Sequence, residues 1–180
     1  MSGYMAIWLH GSQSELMVLA MQPCNHAAMH LSFPLQRAFL ALPLEGSAKE
    51  SFQQIQNHLS EYDKLFTFQN PDSPHLTLYY FGEVMEIEYQ DIMKRLDKIA
   101  GRTAPFIIKV EDVDCFDDRV LHLTVARSQE LSTLKKLCPW PNVRPFSPHI
   151  TLARMKNPNA FRVQKKKVMK LLKDIKYNIP

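Results

Sequence analysis

Ser73-Pro74-His75-Leu76-Thr77-Leu78 returns later in the chain as Ser147-Pro148-His149-Ile150-Thr151-Leu152. Five of the six positions are identical, and the sixth exchanges Leu for Ile. A repeat this short in an otherwise non-repetitive chain marks two copies of one site element, or two halves of one site. Leu, Ile and Thr favour a strand, and a strand sends successive side chains to opposite faces. His75 and Thr77 therefore share one face, backed by Leu76 and Leu78 on the other. His149 and Thr151 pair in the same way over Ile150 and Leu152. Each copy also places Pro before the His, where a strand can begin without losing a ladder donor.

Outward from the first copy, the pattern alternates between helices and strands. Residues 37–44 form a nearly continuous apolar run, which reads as a buried strand. Ser47 followed by Glu50 is a capping-box signal. A helix is expected over residues 48–65, with Phe52, Ile55, Leu59 and Tyr62 at helical spacing. Asn70-Pro71-Asp72 makes the turn into the first motif strand. A second helix is expected over residues 86–100, with Ile87, Ile92, Leu96 and Ile99 inward and Gly101 as its stop. Residues 106–110 and 120–126 read as two strands joined by an acidic loop containing Asp114, Asp117 and Asp118. A short helix over residues 130–137 opens after Ser128. Pro139, Pro141 and Pro145 then lead to the second copy. The last helix, residues 160–176, has Val168, Leu171, Leu172 and Ile175 on one face. Lys165, Lys166, Lys167, Lys170 and Lys173 fall largely elsewhere, as a solvated face.

Residues 1–36 are the least legible. The apolar segments 6–9 and 16–20 flank Gly11-Ser12-Gln13-Ser14, so this extension is expected to form a β-hairpin. His10, His26 and His30 show no partner pattern and read as surface residues. Residues 37–180 are expected to form one bilobal domain. Its fold class is α+β, with two pseudo-symmetric lobes of antiparallel sheet, helices packed outside and a central cleft where the His-Thr faces meet.

Bulk properties set modest bounds. The chain has 180 residues and a formal net charge of +4, a mild basic bias that permits an anionic ligand. Cys24, Cys115 and Cys138 are odd in number, widely separated and without a C-x-x-C pattern, so the expected location is the reducing cytoplasm. No apolar run is long enough for a membrane span, and a monomer is expected.

Two imidazoles facing one another suit paired general acid and base work, because His titrates near neutral pH. Two hydroxyls beside them suit an anion with several oxygens. A phosphodiester held in line between the histidines meets both demands. No metal and no cofactor are expected, since the motif brings no carboxylate or thiolate ligand and two His alone are a poor zinc set. Leu121-His122-Leu123-Thr124 is a third His-x-Thr, without the Ser-Pro prefix and with Val125 after the Thr. His122 reads as an ordinary strand residue.

The doubled His-x-Thr-Leu resembles the two signatures of the 2H phosphoesterase superfamily, and within it the 2′-5′ RNA ligase / RNA 2′,3′-cyclic phosphodiesterase branch. Arg37-Ala38-Phe39-Leu40-Ala41-Leu42 resembles that branch's opening strand. Tyr80-Phe81-Gly82-Glu83 resembles the end of its first motif, Pro105-Phe106 with Phe116 its middle hairpin, and Thr151-Leu152-Ala153-Arg154 the end of its second. The resemblance covers about residues 37–156 and implies metal-free hydrolysis of RNA 2′,3′-cyclic phosphate ends to a 2′-phosphate, with 2′-5′ ligation as a reverse activity. By motif order His75 is then the general acid and His149 the base, with Thr77 and Thr151 on the non-bridging phosphate oxygens and Arg154 a further phosphate contact. Tyr79 and Tyr80 alternate faces, so one of them is a base-stacking candidate. Alternative substrates are 2′-5′ oligoadenylates and other small cyclic nucleotides, and a non-catalytic nucleotide-binding module is the alternative of another class. Two departures stand out. The family's additional C-terminal strand is not evident, and the N-terminal hairpin is extra, so segment 6–9 or 16–20 is expected to fill the open sheet position.

Overall fold

The computed structural model describes the backbone of residues 6–10 and 16–20, and residues 32–104, 106–141 and 145–174 in full. The elements in chain order are β1 (Ala6–His10), β2 (Leu16–Ala20), β3 (Leu35–Pro43), α1 (Gly46–His58), β4 (Phe66–Phe68) and β5 (His75–Val84). They continue with α2 (Glu86–Ala100), β6 (Val110–Phe116), β7 (Val120–Val125), α3 (Gln129–Leu137), β8 (His149–Met155) and α4 (Pro158–Asp174). Among the described residues, antiparallel strands with four α-helices make the fold α+β, as the sequence implied. The chain divides into two compact units.

The first unit comprises residues 1–43, 77–108 and 127–147. Its strands run in the order β2-β1-β3-β5. The expected N-terminal hairpin pairs as Ala6↔Ala20 to His10↔Leu16, and β1 continues onto β3 at Ala6↔Ala41. β3 is the expected apolar strand, with Leu40 and Ala41 wholly buried. α2 matches its expected bounds and buries Ile92, Leu96 and Ile99. Ile87 does not join them: it lies in the first turn and is 80% exposed. α3 is capped by Ser128, whose hydroxyl accepts from the Leu131 N–H. Residues 106–108 form no strand, contrary to expectation.

The second unit comprises residues 44–76, 109–126 and 148–180. β8 is its organising strand. It pairs antiparallel with β7, with β4 (Phe66↔Met155 to Phe68↔Ala153) and with the start of β5 at Leu76↔Ile150. Ile150, Leu152 and Ala153 are buried, together with Phe52, Phe66, Phe161, Val168 and Leu172 from the elements around them. Phe66 and Phe161 meet at a ring-centroid distance of 5.8 Å.

The expected first helix is shorter than its sequence pattern. α1 ends at His58, a single 3-10 turn covers Ser60–Tyr62, and β4 follows. Just past the expected end of that helix, Phe66 is buried in the sheet, paired with Met155 of β8. The Ser47/Glu50 capping box is not formed. The residue before the helix is Glu45, without a side-chain cap, and Gly46 follows at φ +55°, a conformation that glycine adopts freely. Gln56 is buried, and its Nε2 donates to the carbonyls of Gln69 (2.8 Å) and Leu152 (2.9 Å), tying α1 to β8.

In the middle hairpin β7 matches its expected strand, whereas β6 lies later in the chain than the expected 106–110. Asp112 and Asp114 lie within β6 and not in a loop, because their carboxylates face outward and accept from Val113 and Cys115 N–H (2.7 Å each). Asp117 and Asp118 make the tight turn to β7, both at positive φ (50° and 52°). With Arg119, whose N–H donates to Phe116 O at 2.8 Å, they form a three-residue connection between the paired Phe116 and Val120. α4 buries Val168 and Leu172, and its lysines stand on the outer side. Ile175 lies outside the described residues.

Candidate active site

β5 begins at His75. Ahead of it, Asn70–Ser73 forms a hydrogen-bonded turn, with Ser73 N–H donating to Asn70 O at 3.2 Å. Leu44 N–H donates to Pro74 O at 2.8 Å and holds the strand entry. Ser73 is buried and offers its carbonyl to His75 Nδ1 at 2.9 Å. A carbonyl only accepts, so Nδ1 carries the proton. Burial holds the His75 pKa below the usual imidazole value. The Ser73 bond opposes that shift, and the nearby His149 adds to it.

The unit boundary falls inside the first motif, between Leu76 and Thr77. His75, His149 and Thr151 thus belong to the second unit, where one motif copy per lobe was expected. Leu76 pairs with Ile150 across antiparallel β5 and β8. Continuing that register by one residue sets His75 opposite Thr151. His149 lies diagonally across, near enough to act on His75 electrostatically. Thr77 is half-buried, on the same strand face as His75, while Leu76 and Leu78 are buried on the other.

The third His-x-Thr lies in the same register. β7 pairs with β8 at Thr124↔His149 and His122↔Thr151. His122 is 2% exposed. It is indeed a strand residue, but its ring contacts His149 at a centroid distance of 5.3 Å and an interplanar angle of 73°. Phe116 stacks on His122 (3.8 Å, 14°) and meets His149 edge-on (4.9 Å, 87°). His122 Nδ1 lies 3.3 Å from Val120 O, the same residue offset as His75 and Ser73. Burial lowers the His122 pKa, against the Val120 bond and with help from His149. Sequence reasoning missed this contact. The signal was the third motif's own spacing.

Arg154 is exposed near the far end of β8, past a bulge in the β7 pairing, opposite Thr67 and Val120. Five residues of strand place it about 16 Å from His149. In the first unit, Tyr79 packs with Phe81 (4.8 Å) and Trp140 (5.6 Å) and donates to Pro141 O, whereas Tyr80 is 57% exposed. Lys135 bonds the Leu78 carbonyl and lies over the Tyr79 and Phe146 rings. Among the described residues, no group of three His, Cys, Asp or Glu is placed to hold a metal ion, and no helix is long and apolar enough to cross a membrane.

Comparison with known proteins gives a consistent answer. The family model described as the 2′-5′ RNA ligase superfamily matches residues 43–179. The RNA 2′,3′-cyclic phosphodiesterase of Bacillus subtilis is 31% identical over 132 residues, 64% of this chain and 69% of that protein. Its counterpart in Archaeoglobus fulgidus is 30% identical, over 68% of this chain and 74% of that one. Among solved structures, TT0787 of Thermus thermophilus superposes with a TM-score of 0.60 at 25% identity, covering 68% of this chain and 76% of that one. E. coli LigT complexed with 3′-AMP gives 0.52 at 27% identity, covering 67% and 73%. With its doubled His-x-Thr motif and its α+β fold, this chain belongs to the 2′-5′ RNA ligase superfamily of 2H phosphoesterases.

Proposed function

We propose that the protein hydrolyses RNA ends bearing a 2′,3′-cyclic phosphate to a 2′-phosphate, using His75 and His149 as its acid–base pair. One observation carries the reading: the two motif histidines stand diagonally across adjacent antiparallel strands registered at Leu76↔Ile150, near enough to act on one another electrostatically. The names of the curated relatives support the substrate.

Hydrolysis needs one group to take a proton from water as it attacks phosphorus. Another must give a proton to the departing 3′ oxygen. Neutral imidazole does the first and imidazolium the second. Motif order gives His75 the acid's role and His149 the base's. The Ser73 carbonyl fixes His75 so that Nε2–H delivers the proton. Thr77 and Thr151 supply hydroxyls to the non-bridging oxygens, where charge builds as the bond forms. Arg154 lies too far along β8 for that phosphate and meets a neighbouring one in a longer RNA. With an RNA 5′-hydroxyl in place of water as the nucleophile, the same two proton transfers open the cyclic phosphate into a 2′-5′ linkage and free the 3′-hydroxyl.

The test is turnover of a short RNA ending in 2′,3′-cyclic phosphate, in EDTA, by wild type, His75→Ala and His149→Ala. Loss of either proton-transfer group is expected to cost about 10²–10⁴-fold. A 2′-phosphate product that both variants still make at the wild-type rate would remove the pair from the mechanism.

A further inference from the structure

We propose that His122 is a positioning residue, one that with Phe116 clamps the imidazole of His149 in its working orientation. The inference rests on the acid–base reading of His75 and His149.

The third motif copy has spent its hydroxyl elsewhere. Thr124 Oγ1 accepts from Asp112 N–H (3.0 Å) and donates to Asp112 O (3.2 Å), fastening β6 to β7. The imidazole is what remains to face the site. His122 and Phe116 form a parallel stack, and both rings meet His149 near a right angle. Edge-on aromatic contacts on a ring oppose its rotation about χ2. Rotation is what a general base must avoid, because misplacing the reacting nitrogen by about 1 Å can cost about 10²-fold.

The clamp stands on a fixed base. His122 is anchored at Val120 O, and Asp114 lies opposite it on β6. The turn beyond Phe116 is tied to α4, where Asp118 accepts from Arg162 (2.9 Å) and Lys165 (2.6 Å). Two rings set by backbone and ion pairs therefore bear on the third, which does the chemistry.

The experiment compares wild type, His122→Ala, His122→Phe and His122→Leu on the cyclic-phosphate RNA, well below each protein's melting temperature. Removing the ring in His122→Ala is expected to lower kcat about 10–100-fold with KM little changed. His122→Phe restores a flat ring without titrating nitrogens. It should recover most of kcat and keep both limbs of the pH profile where wild type has them. His122→Leu fills the volume without a flat ring and should stay slow, so packing alone is told apart from orientation even where the Ala variant does not fold. Full kcat in folded His122→Ala or His122→Leu overturns the proposal, as does a Phe variant as slow as Leu. If wild type leaves the RNA end intact, the functional reading fails first. The clamp is then read from the His149 ring resonances by NMR. Sharp signals in wild type and His122→Phe but broadened ones in His122→Leu support it, and identical signals in all three overturn it.

Discussion

Replacing Gln56 by Met keeps roughly the shape of the side chain and removes both of its hydrogen bonds. Gln56 is 7% exposed, so water does not readily take over. Its Nε2 serves the carbonyls of Gln69 and Leu152. The two losses are not equal. Leu152 O also accepts from Gln69 N–H at 2.9 Å and keeps that partner. Gln69 O loses the side-chain donor it had. A net hydrogen bond contributes about 1 kcal/mol, and leaving the part-buried Gln69 carbonyl unsatisfied costs about 1–2 kcal/mol, the lower part of the range for a buried group. Together these give about 2–3 kcal/mol of destabilisation. In a chain of this length each kcal/mol lowers Tm by roughly 2–4 °C, so a drop of about 4–12 °C is expected. Urea unfolding followed by circular dichroism checks it, with a lower midpoint at unchanged slope. A Tm within a degree of wild type would refute the claim that this glutamine fastens α1 to β8.

Two further outcomes follow from charge. His75 should titrate below the ordinary imidazole value by NMR, and His149→Ala should raise the midpoint only part of the way back, because burial is the larger cause. Its stability linkage has a definite sign. Between its lowered native pKa and the unfolded value near 6.5, the unfolded chain holds the extra proton. Stability therefore falls as pH drops through that window. The hydrogen bonds from Lys165 and Arg162 hold the Asp118 carboxyl below its usual range. Asp118→Asn should speed amide exchange in the β6–β7 turn while Tm moves little, and unchanged exchange there would count against the ion pairs as its anchor.

Much of this arrangement was legible because the motif carries its own geometry. Period-two alternation put His75 with Thr77, and His149 with Thr151, on one strand face each, and the burial pattern agrees. The helices were legible where apolar spacing and a stop signal coincide, as at Leu96, Ile99 and Gly101. Failures came where tertiary pairing decides. Leu59 and Tyr62 stand at helical spacing but lie past the end of α1, where the chain turns to bring Phe66 into its pairing with β8. Asp114 looks like loop and lies in a strand because its carboxylate serves the next backbone N–H. Ile87 fits a helical face but sits one turn too early to be covered. His122 was the larger omission. Its spacing was visible, yet only the β7–β8 register shows that it lands beside His149.

The way the chain alternates between its two units, changing after residues 43, 76, 108, 126 and 147, has a consequence for synthesis. The ribosome delivers all of the first unit before β8 emerges. The start of β5, β4 and β7 are by then made, but the strand that all three pair with is not. His75 thus waits through 74 further residues of synthesis for the imidazole proposed as its partner. Ligand-binding competence should appear late and abruptly as β8 clears the exit tunnel, so nascent chains stalled before and after that point offer a direct clock for the assembly of the site.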